Sequence, residues 1–181
     1  MPITVLENAV SNAERRALAC GEEVVVPRFT DVYAALPAIT GKLELEYDGE
    51  LVGAERIARE LIARAAADTL LARGGEAAEE ALDQVVEHFD RGGVLQVADT
   101  ASAGACLEGF RAVPGLLGVV ETLGLGHGSS PGHVVAACEL VLEALVAEKR
   151  ISRSESGRYT RAPRRQGPPS GPGFGKPTLE V

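Results

Sequence analysis

Apolar residues recur along much of this chain at the spacing of one helix face. Ile3, Leu6, Val10, Ala13 and Ala17 form a stripe over 2–19, with Glu7, Glu14 and Arg15 on other faces, and Gly21 supplies a stop. Pro2 suits a first helical turn, but no capping residue precedes it, which fits either an element upstream or a frayed start. Ile57, Leu61, Ile62, Ala65 and Leu70 predict a helix over 53–73; Leu82, Val85, Val86 and Phe89 predict another over 76–90, jointed by Gly74-Gly75. Asp99 or Thr100 is positioned to cap a helix running to about Arg111, and a short apolar segment over 116–123 follows Pro114-Gly115. Ser130-Pro131 opens a last helix over 131–149, with Val134, Cys138, Val141, Leu142 and Leu145 inward.

Period-two patterns are shorter. Val24-Val25-Val26 and Val94 to Val97 read as extended, and Thr30 caps a short helix that reaches Leu36 and is ended by Pro37. Over 42–47, Leu43, Leu45 and Tyr47 alternate with Glu44 and Glu46, and Asp48-Gly49 gives a turn behind them. Residues 151–160 predict a small hairpin around Ser156-Gly157. The expected fold class is mainly α, with one or two short β-hairpins.

Composition sharpens this. Hydrophobic residues make up 45% of the 181, aromatic residues only 4%, and Trp is absent. Leu, Val, Ile and Ala must therefore build the core, as helix–helix interfaces allow. A net charge of -8 repels phosphate backbones, so nucleic-acid binding is disfavoured. The C-terminal end departs from that balance: Lys149, Arg150, Arg153, Arg158, Arg161, Arg164, Arg165 and Lys176 face Glu155 alone. This basic arm reads either as solvated or as a contact for an acidic partner or nucleic acid. The hairpin beside it has some look of a winged element. Beyond Ala162 the Pro-, Gly- and Arg-rich sequence predicts disorder.

Cys20, Cys106 and Cys138 are far apart and lack CxxC spacing, a reduced, intracellular pattern without a zinc site. Neither a signal peptide nor a membrane-spanning apolar run is evident, and the expected location is the cytoplasm.

Several motifs invite chemistry. Gly128-Ser129-Ser130-Pro131-Gly132 fits the nucleophile elbow, but a glycine-rich loop stands where the strand belongs, so Ser130 reads as a helix cap. Gly175-Lys176 lacks the first glycine and the Ser/Thr of a phosphate-binding loop; no other segment supplies one, nor a strand ending in paired acids for Mg²⁺. His88, His127 and His133, with Glu139 at helical distance from His133, do not fix three metal ligands on one face. Glu55, Glu60, Glu79, Glu80 and Glu87 read as solvated helix faces with i,i+4 pairs such as Glu55–Arg59 and Glu60–Arg64. No catalytic, cofactor-binding or metal residue is assigned.

One stretch carries a resemblance. Leu36-Pro-Ala-Ile-Thr-Gly-Lys42, then Glu44-Leu45-Glu46-Tyr47 and Gly53-Ala54-Glu55, resembles bacterial AAA+ proteins of the magnesium chelatase subunit I-like group, some labelled sigma-54-interacting. The longer stretch from Arg28 to Glu50, the segment Val10 to Leu18 with Gly21-Glu22, Val113-Pro114-Gly115-Leu116 and Glu139 to Leu145 are similar too, so the likeness covers about 3–160. It implies a helical bundle-like lid over 1–41, a C-terminal helical domain over 42–160, and a tail over 161–181. The family's phosphate-binding loop, Mg²⁺-holding acids, first sensor and arginine finger would lie upstream, and no arginine precedes Arg15 to serve as second sensor. The implied function is therefore that of a lid and C-terminal region, active in ATP-driven remodelling or metal-insertion assembly once joined to its core. ATP and Mg²⁺ belong to the full-length relative, whose complete form would be a ring homo-oligomer. The alternative is a stand-alone regulatory module that docks onto a full-length relative or an acidic partner.

Overall fold

A computed structural model describes residues 2–41, 53–73, 75–125 and 129–163. Among them are eight α-helices: α1 (Pro2–Cys20), α2 (Phe29–Ala34), α3 (Leu36–Thr40), α4 (Ala54–Ala72), α5 (Glu79–Asp90), α6 (Ala103–Arg111), α7 (Leu116–Thr122) and α8 (Pro131–Ala147). Three strands, β1 (Leu95–Gln96), β2 (Ile151–Arg153) and β3 (Arg158–Arg161), form an antiparallel sheet in the order β1-β3-β2. The protein is thus mainly helical with a small sheet. The strand expected over 42–47, its following turn, His127 and the tail from 164 onward lie outside the described residues.

Helix α8 is the axis of the molecule. Helices α4, α6 and α7 pack along it, α2 crosses it, and β2 leaves from its C-terminal end. Val135, Ala137, Cys138, Val141, Leu142, Ala144 and Leu145 are all buried, and Val134 only half so. A helix covered all round has no solvent face, so the single inward stripe expected from the sequence is too narrow. The main core joins α8 to Phe89, Phe110, Leu116 and Val119, closed at the sheet by Ile151 and Tyr159. A smaller cluster of Leu36, Ile39 and Ala58 ties α3 to α4, with Val5 of α1 against it.

Helix α4 turns a different face inward than its large residues suggest. Ala58, Ala63, Ala66 and Leu70 are covered, whereas Leu61 is exposed. Small side chains on the covered face suit close approach of two helices, and α8 is the neighbour that fills it.

Local chemistry sets the ends. Gly21, at φ +67°, closes α1, and Glu22 N–H donates to Ala17 C=O at 2.9 Å. Pro37 opens α3 rather than ending a helix, because the first turn needs no N–H from it. Asp31 caps α2 from within, accepting from Arg28 N–H at 2.9 Å. Ser102, not Asp99 or Thr100, caps α6 by accepting from Ala105 N–H at 3.3 Å. The sheet's register pairs Leu95 with Tyr159 and Arg153 with Tyr159. Its turn requires Gly157: φ is +76°, and an added Cβ would lie 2.4 Å from Val97 C=O.

Candidate functional site

A chain of buried charges runs across the face where α1 and α2 meet α8, α6 and the sheet. It starts on α8, where Glu139 and Glu143 sit one helical turn apart in a helix that is apolar apart from them and His133 in its first turn. Both are almost fully buried. A carboxylate taken from water needs partners, and each finds a different set.

Glu139 is met by the loop before α2. Its Oε2 accepts from Phe29 N–H at 2.8 Å, and its Oε1 lies 3.3 Å from Arg28 Nε. The second contact is an ion pair without hydrogen-bond geometry, since neither atom has a hydrogen-bond partner. Burial pushes the Glu139 carboxyl up to about 7, against the opposing pull of Arg28. Arg28, itself fully covered, spends its other donors on the turn before α6, on α6 itself and on Thr30 Oγ1. Nη1 donates to Ala101 C=O at 3.0 Å and to Cys106 Sγ at 3.2 Å, and Nη2 to Ala98 C=O at 3.2 Å. One planar fork thereby joins α2, α6 and α8.

Glu143 is met by phenols and a guanidinium. Tyr33 of α2 and Tyr159 of β3 each donate to it at 2.6 Å, and Arg153 Nε of β2 stands 3.1 Å from its Oε1. Burial, then the Glu143 charge, raises both phenols above their ordinary range. They therefore act as hydrogen-bond donors, not as bases. Arg153 lies 4.3 Å over the Tyr33 ring and 5.8 Å from the Tyr159 ring, and Arg59 of α4 lies 5.2 Å over Tyr33.

The chain of charges continues into α1. Arg16 pairs with Asp31 at 2.9 Å and Glu22 at 3.1 Å and donates to Val26 C=O; Glu22 in turn accepts from Ala103 N–H at 2.6 Å. These groups fasten helices to one another. Each acid and each base has at least one partner in the network, while Arg16 Nε, Arg28 Nε, Glu139 Oε1 and Arg153 Nε are left without a hydrogen bond; the arrangement is that of a polar joint.

The residues singled out from the sequence lie elsewhere, with one exception. Ser130 stands at the N-cap position of α8, but its hydroxyl bonds to His133 Nδ1 at 2.8 Å instead of capping the backbone. This is a local pair within one exposed turn. Glu139, the exception, points into the buried joint, away from any shared site with exposed His133. Among the described residues no three His, Cys, Asp or Glu side chains are placed to hold a metal ion. His88 packs edge-on against Phe89, with ring centroids 5.2 Å apart. Glu55–Arg59 pairs as the spacing predicts, whereas Arg64 turns to Asp68 and leaves Glu60 to Arg56. Cys138 is a core thiol that burial pushes up to about 12. The C-terminal basic run is partly folded in: Arg153 belongs to the joint, and Arg150 pairs with Asp83.

Sequence reasoning missed Arg28, Glu143, Tyr33, Tyr159 and Arg153. The available signal was a pair of glutamates at i,i+4 inside an apolar helix, which requires buried partners. No family model matches the chain, and no curated protein or solved structure matches it either. Among the described residues no single helix is long and apolar enough to cross a membrane.

Proposed function

We propose that the chain is the lid and C-terminal region of a magnesium chelatase-like AAA+ ATPase. Joined to a nucleotide-binding core, it acts in ATP-driven remodelling or metal-insertion assembly. In this reading the chain contributes no catalytic group. ATP and Mg²⁺ sit on the core, and the complete protein assembles as a ring. The free thiols Cys20, Cys106 and Cys138 fit a reducing compartment, the cytoplasm.

One observation carries most weight beside the sequence resemblance. The apolar stripe of α1 is covered at Ala13 and Ala17 but left open toward its N-terminal end, where Ile3 is 71% and Leu6 63% exposed. An uncovered apolar stretch continuous with a buried one suits a surface against which another folded unit rests. The polar joint adds a second support. It links α1 and α2 to α8 and the sheet through directional charged contacts, so a tilt imposed on α1 would carry the C-terminal helices along.

The test is a fusion of this chain behind the core of a magnesium chelatase-like AAA+ protein. The fused protein is expected to form a ring and turn over ATP, and Leu6→Asp is expected to cut that turnover at least severalfold. A folded, assembled fusion that hydrolyses no ATP contradicts the proposal.

A further inference from the structure

Cationic groups converge on a cleft of about 410 Å³ between α4, the end of α8 and the β2–β3 hairpin. Arg56, Arg59 and Arg64 line one wall, and Lys149 and Arg153 the other. Glu60 and Glu155 are the acids of the lining; Arg56 is paired with Glu60 and Arg64 with Asp68, which leaves Arg59, Arg153 and Lys149 as the cations that face the cleft with donors to spare. Ala63, Val146 and Ala147 give the cleft an apolar floor.

Two of these cations are held in place from behind. Arg153 has only 9% of its side chain exposed, with Nε on Glu143 and its guanidinium against Tyr33. Arg59 is held by Glu55 Oε1, at 3.1 Å from Nε and 2.7 Å from Nη2, while covering the same tyrosine ring. Burial beside Glu143 and against the tyrosine ring restrains the Arg153 guanidinium, while Arg59 is steered by an exposed i,i+4 pair. Lys149 has no ion-pair partner among the described residues. It also adopts φ 60°, a left-handed conformation at the C-terminus of α8 where glycine is the unstrained choice.

We propose that this cleft binds a small organic phosphate monoester, its oxyanion between Arg59, Lys149 and Arg153 and its carbon body on the apolar floor. Orientated guanidinium groups match phosphate oxygens through paired donors. The volume is that of a small-molecule site, about 300–1,000 Å³, and a compact cleft on an acidic protein is unsuited to a nucleic-acid backbone.

The test is a titration of the full chain, followed by amide and arginine Nε NMR shifts, with phenyl phosphate, inorganic phosphate and a hexaglutamate peptide as probes. Phenyl phosphate is expected to shift Arg59, Lys149 and Arg153 saturably and to bind more tightly than inorganic phosphate. Lys149→Gly removes the charge while relieving the backbone, and Arg64→Gln alters a side chain that is 75% exposed, so both variants keep the fold. Removing one charge-assisted hydrogen bond is expected to weaken binding about tenfold in Lys149→Gly, and Arg64→Gln, which removes only a lining charge outside the oxyanion's partners, to weaken it about threefold or less. Arg91→Gln, on α5's C-terminal cap and absent from the cleft lining, is expected to leave binding unchanged. Non-saturating shifts spread over all exposed arginines, or unchanged binding in Lys149→Gly, would overturn the proposal. Tighter binding of hexaglutamate than of phenyl phosphate would overturn it too, in favour of an acidic peptide.

Discussion

The two sides of α8 are built on different principles. One side meets Phe89, Phe110, Leu116 and Val119 in an apolar core. The other meets Arg28, Tyr33, Arg153 and Tyr159 through Glu139 and Glu143. Apolar burial is non-directional and scales with area, so the core side supplies stability and tolerates swaps that preserve volume. A buried ion pair must repay desolvation, and replacing it by well-packed apolar groups is often neutral or stabilising. The polar side therefore fixes where α1, α2 and the sheet sit relative to α8, more than it holds the fold together.

The largest effects separate the two principles. Arg28→Ala leaves Glu139 without its cation and three acceptors, Ala98 C=O, Ala101 C=O and Cys106 Sγ, without their donor, and is expected to cost about 3–5 kcal/mol in urea unfolding. Arg28→Met combined with Glu139→Leu removes both charges together and is expected to recover most of that loss. On the core side, Leu142→Ala is expected to cost about 2–5 kcal/mol. A second truncation there, Leu116→Ala, is expected to add to that loss, not rescue it. If the paired charge replacement were as damaging as Arg28→Ala alone, the contrast between the two sides would fail.

A smaller effect sharpens the contrast through pH. The Glu139 carboxyl is raised from its ordinary 4.5 to about 7 in the folded protein. Between those values the native state holds a proton that the unfolded chain releases. The Glu139 contribution to stability is therefore fully present below pH 4.5 and is lost as pH rises through 7. Relative to Glu139→Gln, the wild-type protein is expected to lose roughly 1–3 kcal/mol between pH 4.5 and 8, read from unfolding curves at each pH. Core variants such as Leu142→Ala are expected to show no such pH-dependent difference from wild type.

The smallest effects fall outside both regions. Lys149→Gly relieves a left-handed residue at the end of α8 and is expected to raise stability by about 1 kcal/mol. Exposed Arg91 and Glu87 pair at 2.6 Å, and removing either is expected to change stability by about 0.5 kcal/mol or less.

The core side was largely legible in the sequence because burial there follows helical periodicity. Leu82, Val85 and Phe89 on α5, and Cys138, Val141, Leu142 and Leu145 on α8, fall where their spacing puts them. The same rule fails for Leu61 and Ile3, large residues that the covered faces of α4 and α1 leave outside. Periodicity gives a stripe, but which neighbour covers it is a tertiary matter. The polar side was not legible because its partners are far apart in sequence. Arg28 finds Ala98, Ala101 and Cys106 only after the chain has folded back on itself, and Arg16 finds Asp31 in the same way. The three-stranded sheet shows both cases. The β2–β3 hairpin is local and readable from Ser156-Gly157, whereas the addition of β1 to β3 is not.

The most direct measurement is calorimetric titration of this chain with the separately purified core of a magnesium chelatase-like AAA+ protein, in the presence of ATP and Mg²⁺. The account predicts saturable binding that Leu6→Asp abolishes and that Leu61→Asp, on the exposed face of α4, leaves intact. Absence of binding by the folded chain, or binding indifferent to Leu6→Asp, would contradict it.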